Sequence, residues 1–403
     1  MYCVLATILS TLIWLLLPAE LELVRKVPAF FATVSMISMA LAMLISCRFK
    51  FIDSWVGGID KAYIWHKWFG ILGLVGACFH WLLVPGPAGN AVDPAFTEIG
   101  EEIGQWAMYA LLILGGVSVV KNIPYRIWFY THKLMGPIFL FSVYHTFFSD
   151  VPFEIMSLTG GTLIIVSTLG LFSWIYKSLF SRHEYKEYIV AEVEKLDGAI
   201  EVKMIPETET ITYQAGQFAY LDFGFDRVEH FHPFTITSSP QDHTLSFIIR
   251  DLGKHTHHLQ TKVSVNQLVT VDGGYGQMHA KKDTSKPQIW IAGGIGITPF
   301  LSWLKERPTQ QVHLFFVGKG RLYQVLVEKV AKLISSENVM FHYDMSPTKR
   351  LSHDDVLEKI TQPIESYQVF ACGPKAMLKS LKHGLLSEGL PRKNWTTENF
   401  IMR

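Results

Sequence analysis

Along the first 180 or so residues the hydrophobic positions run together in long blocks. Six of them, at about 1–17, 28–47, 62–84, 104–120, 127–148 and 157–179, are separated by short polar or proline-bearing breaks. Blocks of this length predict helices that cross a hydrocarbon layer of about 30 Å, the first being near the lower limit. That first block has no basic stretch before it and no small-residue cleavage site, so it reads as a membrane helix rather than a signal peptide. From about residue 183 the pattern changes. Runs at 187–193, 199–205, 217–223 and 245–249 alternate apolar with polar positions, which predicts a small antiparallel barrel. From about 285 strands alternate with helices: strand 288–292, helix 300–306, strand 312–318, helix 323–334, then strands 339–344 and 367–373. That order predicts a parallel α/β sheet. The expected fold class is a multi-domain membrane protein: a six-helix transmembrane bundle at 1–182, an antiparallel β-barrel at 183–284 and an α/β parallel-sheet domain at 285–403.

Charge orients the membrane half. Arg48, Lys50, Lys61, Lys121, Arg126, Lys177 and Arg182 follow the second, fourth and sixth blocks, whereas acidic residues such as Glu98, Glu101, Glu102 and Asp150 dominate the opposite loops. The positive-inside rule then expects an integral, multi-pass protein of the cell (inner) membrane with both termini cytoplasmic. A net charge of +1 over 403 residues, with no basic stripe, argues against a nucleic-acid partner. The four cysteines, Cys3, Cys47, Cys78 and Cys372, show no zinc or disulfide spacing.

Histidines change the picture further. His66 and His80 are fourteen residues apart in the third block, and His132 and His145 thirteen apart in the fifth. At about 1.5 Å per residue each pair is separated by roughly 20 Å along its helix. Two such helices side by side offer one His–His pair near each membrane face: His66 with His132 inside, His80 with His145 outside. Paired imidazoles in a bundle are how protein holds b-type haem, and ionisable groups in lipid point to function. Iron with both axial positions filled has no vacancy for oxygen, so an acceptor would be reduced at the haem edge. Core histidines satisfied by hydrogen bonds are the alternative. One angle resists: at about 100° per residue, fourteen positions return within about 40° of one face, but thirteen miss by about 140°. Gly136-Pro137 lies between and supplies a kink that re-aims the second ligand.

In the third region the strand at 288–292 runs into Gly293-Gly294-Ile295-Gly296-Ile297-Thr298-Pro299 and a helix. A strand, glycine turn and helix N-terminus cradle phosphate, although the spacing is not that of the dinucleotide fingerprint. The string HPFTITSS at 232–239 alone is a strand ending in a polar turn. Together with the histidine spacing, it resembles the transmembrane NADPH oxidase and ferric reductase superfamily, in particular prokaryotic NADPH oxidase-like members. The part after 183 resembles the ferredoxin–NADP reductase fold. The resemblance spans essentially the whole chain.

That resemblance implies a bilayer-embedded enzyme that passes electrons from cytosolic NAD(P)H through FAD and two haems to an outer acceptor. It implies that His232, Pro233, Phe234 and Thr235 contact flavin, with Thr235 near its N5. Arg250 and the turn Gly253, Lys254, His255, Thr256 would approach the FAD pyrophosphate. Gly293, Gly294, Gly296, Thr298 and Pro299 would serve the nicotinamide nucleotide, with Cys372, Gly373 and Pro374 beside the nicotinamide. Lys319 and Arg321 would meet the adenosine 2′-phosphate of NADPH, although exposed basic residues also serve solubility and NADH remains open. Phe400 would stack on the flavin, or else pack in the tail. Thr235, Cys372 and Phe400 are the candidate catalytic residues. The cluster His255, His257, His258 reads as a solvated helix start rather than a metal site. Oxygen, giving superoxide, is the favoured acceptor; a ferric chelate and an extracytoplasmic partner protein are the alternatives. The outer loop at 85–106 is a plausible lid.

Overall fold

The computed structural model describes residues 2–85, 94–120, 122–180, 185–225, 231–279, 285–344 and 350–398. The chain divides into two units, Met1–His183 and Glu184–Arg403.

Among the described residues the first unit is helical: α1 (Tyr2–Leu16), α2 (Leu23–Ser46), α3 (Lys50–Val56), α4 (Ile59–Leu83), α5 (Pro94–Val119), α6 (Tyr125–Lys133), α7 (Met135–Phe148) and α8 (Leu158–Leu179). Three stretches, Leu23–Ser46, Phe96–Val119 and Leu158–Leu179, are long and apolar enough to cross a membrane by length and composition. Large apolar side chains stay exposed on α4, α5 and α8, Trp68, Leu82, Ile113, Ile165 and Phe172 among them, as a lipid-facing surface requires. Small residues let α2 and α4 approach: Ser35 Oγ donates to Gly73 O at 2.7 Å, and a Cβ at Gly76 would lie 2.9 Å from Phe31 O.

Two expectations are corrected. The fifth block is not one helix but α6 and α7, broken at Leu134. Pro137 has no N–H for the carbonyl of Lys133, so the ladder fails there, and Leu134 N closes a tighter turn on Thr131 O at 3.1 Å. Gly136 serves packing, since a Cβ there would lie 1.9 Å from Trp174 Nε1. The loop at 85–106 is helical from Pro94 onward, because proline at the first helical position forfeits no bond; residues 86–93 lie outside the described residues.

The second unit opens with β1 (Lys186–Leu196), β2 (Ala199–Pro206), β3 (Phe218–Asp222), β4 (His232–Thr235), β5 (Leu245–Arg250), α9 (Lys254–Lys262) and β6 (Leu268–Tyr275). The strands form one antiparallel sheet, order β4-β3-β6-β1-β2-β5, and a bridge from Ile236 to Phe247 links its two ends. Alternate residues, including Val190, Val202, Ala219, Leu221, Phe247 and Val271, make its core. Next come β7 (Gln288–Gly293), α10 (Thr298–Lys305), β8 (Val312–Val317), α11 (Gly320–Leu333), β9 (Val339–Tyr343), α12 (His353–Lys359), β10 (Gln368–Cys372), α13 (Lys375–Ser387) and β11 (Trp395–Thr397). These strands lie parallel in the order β11-β10-β7-β8-β9. Phe300, Leu301, Leu326 and Val330 cover one face and Val356, Leu378, Leu381 and Leu385 the other. The chain steps from β7 to β8 on one side and returns to β10 on the other, so the carboxyl end of β7 is the switch point where such sheets bind ligands. Trp303 Nε1 donates to Ala215 O at 2.8 Å and Ser302 Oγ to Ser238 O at 2.6 Å, fastening α10 to the antiparallel part.

Candidate functional site

In the first unit the four histidines meet in two pairs. The rings of His66 and His132 have centroids 5.8 Å apart, and those of His80 and His145 6.1 Å apart. The break at Leu134 supplies the turn that an unbroken helix lacks. Every ring is fixed through Nδ1. His66 Nδ1–H donates to Ala42 O (2.9 Å), His80 Nδ1–H to Pro28 O (3.1 Å) and His145 Nδ1–H to Gly100 O (3.0 Å). His132 Nδ1 lies 3.1 Å from Ser118 Oγ, whose own hydroxyl donates to Leu114 O at 2.8 Å. Ser118 therefore accepts from His132. Each Nδ1 carries the proton and each Nε2 keeps its lone pair, the tautomer that a metal-binding imidazole needs.

The pairs fit a particular kind of ligand. Two metal–imidazole bonds of about 2 Å on opposite sides of one ion place ring centres about 6 Å apart, as observed. Among the described residues no group of three or more His, Cys, Asp or Glu could hold a metal ion. Iron in a porphyrin brings four ligands with it and asks the protein only for axial imidazoles, which each pair can offer. A Cβ at Gly70, one turn along α4 from His66, would meet nothing within 4 Å, leaving room beside the inner pair. By contrast, a Cβ at Gly104 would lie 2.2 Å from His145 Nδ1, so glycine there lets the ring sit where it does.

In the second unit His232, Pro233, Phe234 and Thr235 form β4, opposite Leu221, Tyr220, Ala219 and Phe218 of β3. The His232 ring stacks on that of His255 at the start of α9, with centroids 3.6 Å apart, so two segments 23 residues apart in sequence become neighbours. Thr256 Oγ1 accepts from Leu252 N (2.8 Å) and Gly253 N (3.0 Å), closing the turn into the helix that Lys254 begins. Arg250 ends β5, and a Cβ at Gly294 would lie 3.5 Å from its Nη1. The arginine expected near one phosphate segment thus stands at the glycine turn after β7.

That turn touches the end of β10. A Cβ at Gly296 would lie 2.3 Å from Cys372 O, and one at Gly293 2.7 Å from both Pro374 Cδ and Met377 Cε. Gly373 adopts φ +157° with Gly293 Cα 3.0 Å from its virtual Cβ. Gly293 and Gly296 are therefore small so that two loops can pack, whereas a Cβ at Gly294, at φ +56°, would make only an ordinary contact with Arg250. Thr298 is buried and its hydroxyl donates to Ile295 O (2.9 Å), inside the turn, while Pro299 is buried in α10.

Cys372 is 4% exposed. Burial, assisted by the Glu398 carboxylate, pushes its thiol up to about 12. Glu398 is a buried acid whose Oε1 accepts from Gln277 N at 3.0 Å. Sequence patterning did not single it out, because its neighbours are remote in the chain. Phe400 lies outside the described residues, as do Lys121 and Arg182. Lys319 and Arg321 flank the start of α11 and share a cavity of about 280 Å³ with Arg250.

Residues 31–143 match the family described as ferric reductase like transmembrane component, 185–298 an FAD-binding domain and 290–383 an oxidoreductase NAD-binding domain. The chain is 33% identical over 132 residues to dual oxidase 2 of Rattus norvegicus, covering 30% of this chain and 8% of that protein. It is 26% identical over 271 residues to ferric reduction oxidase 8, mitochondrial, of Arabidopsis thaliana, covering 60% and 34%. The chain thus spans about a third or less of each relative's length. The crystal structure of a flavohemoglobin from Malassezia yamatoensis shares a TM-score of 0.51 at 15% identity over 94% of this chain and 99% of its own, a likeness of fold alone. A ferric-reductase-like membrane component followed by FAD- and NAD-binding oxidoreductase domains places this chain in the superfamily of transmembrane NADPH oxidases and ferric reductases.

Proposed function

We propose that the protein carries electrons across a membrane, from cytosolic NADPH to an acceptor on the outer side, with oxygen reduced to superoxide as the first choice. Bound FAD would supply the exchange between a hydride and single electrons, and two b haems held by the histidine pairs would supply the relay of those electrons through the lipid. The observation that carries the reading is the pair of histidine pairs, each with both Nδ1 atoms committed and both Nε2 atoms available. His66 and His132 hold the inner haem, His80 and His145 the outer one. Ala42, Pro28, Gly100 and Ser118 hold the four rings in orientation.

The six apolar segments make the bundle, with both termini cytoplasmic, and the antiparallel sheet with its closing bridge makes a flavin barrel. Residues 1–182, 183–284 and 285–403 are the three domains. Thr235, at the end of β4, faces the flavin with His232, Pro233 and Phe234. Arg250 and the turn at Gly253, Lys254, His255 and Thr256 receive its pyrophosphate. The loops at Gly293–Gly296 and Cys372–Pro374 receive the nicotinamide nucleotide, and Phe400, which lies outside the described residues, is the aromatic that would stack on bound flavin. The Cys372 thiol stays protonated across the neutral range, so it acts as a neutral contact rather than a nucleophile.

The second reading is reduction of a ferric chelate, favoured by the ferric reduction oxidase match over 60% of the chain. One experiment separates them. Purified full-length protein is given NADPH, and superoxide-dismutase-sensitive cytochrome c reduction is followed beside ferric-chelate reduction. Dismutase-sensitive reduction supports the oxidase reading. Ferric reduction that ignores dismutase supports the second. NADPH oxidation with neither, and a partner protein required, overturns both.

A further inference from the structure

The cavity at the start of α11 is built by both parts of the second unit. Lys319 and Arg321 come from the parallel sheet, Arg250 and Asp251 from the end of β5, and Asp197 from the turn between β1 and β2. Lys319 precedes α11 with extended backbone, so the helix N-terminus, which favours anions, opens beside the cations. The acids are less expected in a pocket for a phosphate. Asp251 Oδ2 lies 2.8 Å from His257 Nδ1 and is engaged there. Asp197 Oδ2 lies 3.8 Å from Arg321 Nε.

Asp197 is held in place by its backbone. Gly198 beside it takes φ +76°, its carbonyl accepts from Asp251 N at 3.0 Å, and Ala199 pairs with Arg250 across the sheet. A second ion pair, Lys329 with the buried Glu201, ties α11 to β2 two turns further along. The carboxylate of Asp197 therefore meets Arg321 by construction. The contact is long and both side chains are largely exposed, at 53% and 81%, so it is a weak pair that a stronger anion can displace.

We propose that Asp197 sets the discrimination between NADPH and NADH by competing with the adenosine 2′-phosphate for Arg321. The inference rests on the reading that Lys319 and Arg321 receive that phosphate. With NADH no group claims Arg321 and the Asp197 pair persists. With NADPH the phosphate takes the guanidinium and comes to lie near the Asp197 carboxylate. The acid therefore weakens binding of the phosphorylated coenzyme and leaves the other untouched.

The test measures inhibition of the full-length enzyme by 2′,5′-ADP and by 5′-AMP. The ratio of their inhibition constants reports the 2′-phosphate alone. Asp197→Asn is expected to raise the preference for 2′,5′-ADP about two- to fivefold, the range that one exposed ion pair supports. The gain shrinks as salt rises, and Asp197→Glu returns the ratio toward the parental value. Arg321→Gln is expected to abolish most of the preference. If the parent shows no preference and Arg321→Gln changes nothing, the pocket reading itself fails. If Arg321→Gln abolishes the preference while Asp197→Asn leaves it unchanged or lowers it, the role of Asp197 is overturned and the pocket reading stands.

Discussion

Replacing Gly104 with alanine tests how tightly the protein holds its outer imidazole. The added Cβ lies 2.2 Å from His145 Nδ1, where ordinary contact begins at 3.4 Å, so the ring must retreat by about 1.2 Å. That movement breaks the 3.0 Å bond to Gly100 O, the contact that sets the tautomer. Overpacking costs about 1–3 kcal/mol, and alanine returns roughly 1 kcal/mol of helix propensity, so the fold survives. The site does not escape as lightly, because losing the group that orients a metal-binding histidine costs about 10- to 100-fold in affinity. The assay is haem per FAD by pyridine haemochrome, with a redox titration of the purified protein. One haem should be lost or shifted in potential while the other keeps its parental signature. Gly161→Ala in α8, where a Cβ meets nothing within 4 Å, should leave both unchanged. A Gly104→Ala protein with two haems of parental potential would refute the reasoning.

Three further outcomes are expected. Gly296→Ala drives a Cβ to 2.3 Å from the Cys372 carbonyl; this backbone clash should cost about 1–3 kcal/mol and lower the thermal midpoint of the second unit, and an unchanged midpoint would mean the two loops are not packed as described. Thr235→Ala should slow flavin reduction in stopped flow without altering the haem spectrum, and loss of haem would show the site misassigned. His313, buried on β8 with Nδ1 3.2 Å from His342 Nε2, is pushed down to about 4 by burial and by His342. Its unfolded counterpart titrates near about 6.5, so the unfolded chain takes up the proton first as pH falls. Stability is then full above about pH 6.5 and declines toward about pH 4. Unfolding midpoints measured across that window should flatten in His313→Phe, and an unaltered slope would exclude the pair as a cause.

What the sequence made legible was periodic or local. Fourteen- and thirteen-residue spacings put histidines at matching depths, and a strand running into glycines and a helix marked the switch-point turn. What it hid was non-local. Three of the four acceptors that orient the imidazoles are backbone carbonyls, which leave no trace in side-chain identity. Pro137 announced a break, but its place at Leu134 depends on which carbonyl loses its donor. The glycines at the end of β7 looked alike in the sequence, yet two serve the approach of Cys372 and Pro374, and one stands against Arg250. Glu398 and Asp197 stand at the ends of contacts that join the antiparallel part of the second unit to the parallel part, beyond any pattern in the neighbouring residues.

The decisive measurement is the porphyrin content of detergent-purified, FAD-loaded protein. Two protohaems per flavin, both low-spin with two axial imidazoles, are the predicted result. Folded, flavin-bearing protein without porphyrin would contradict the account.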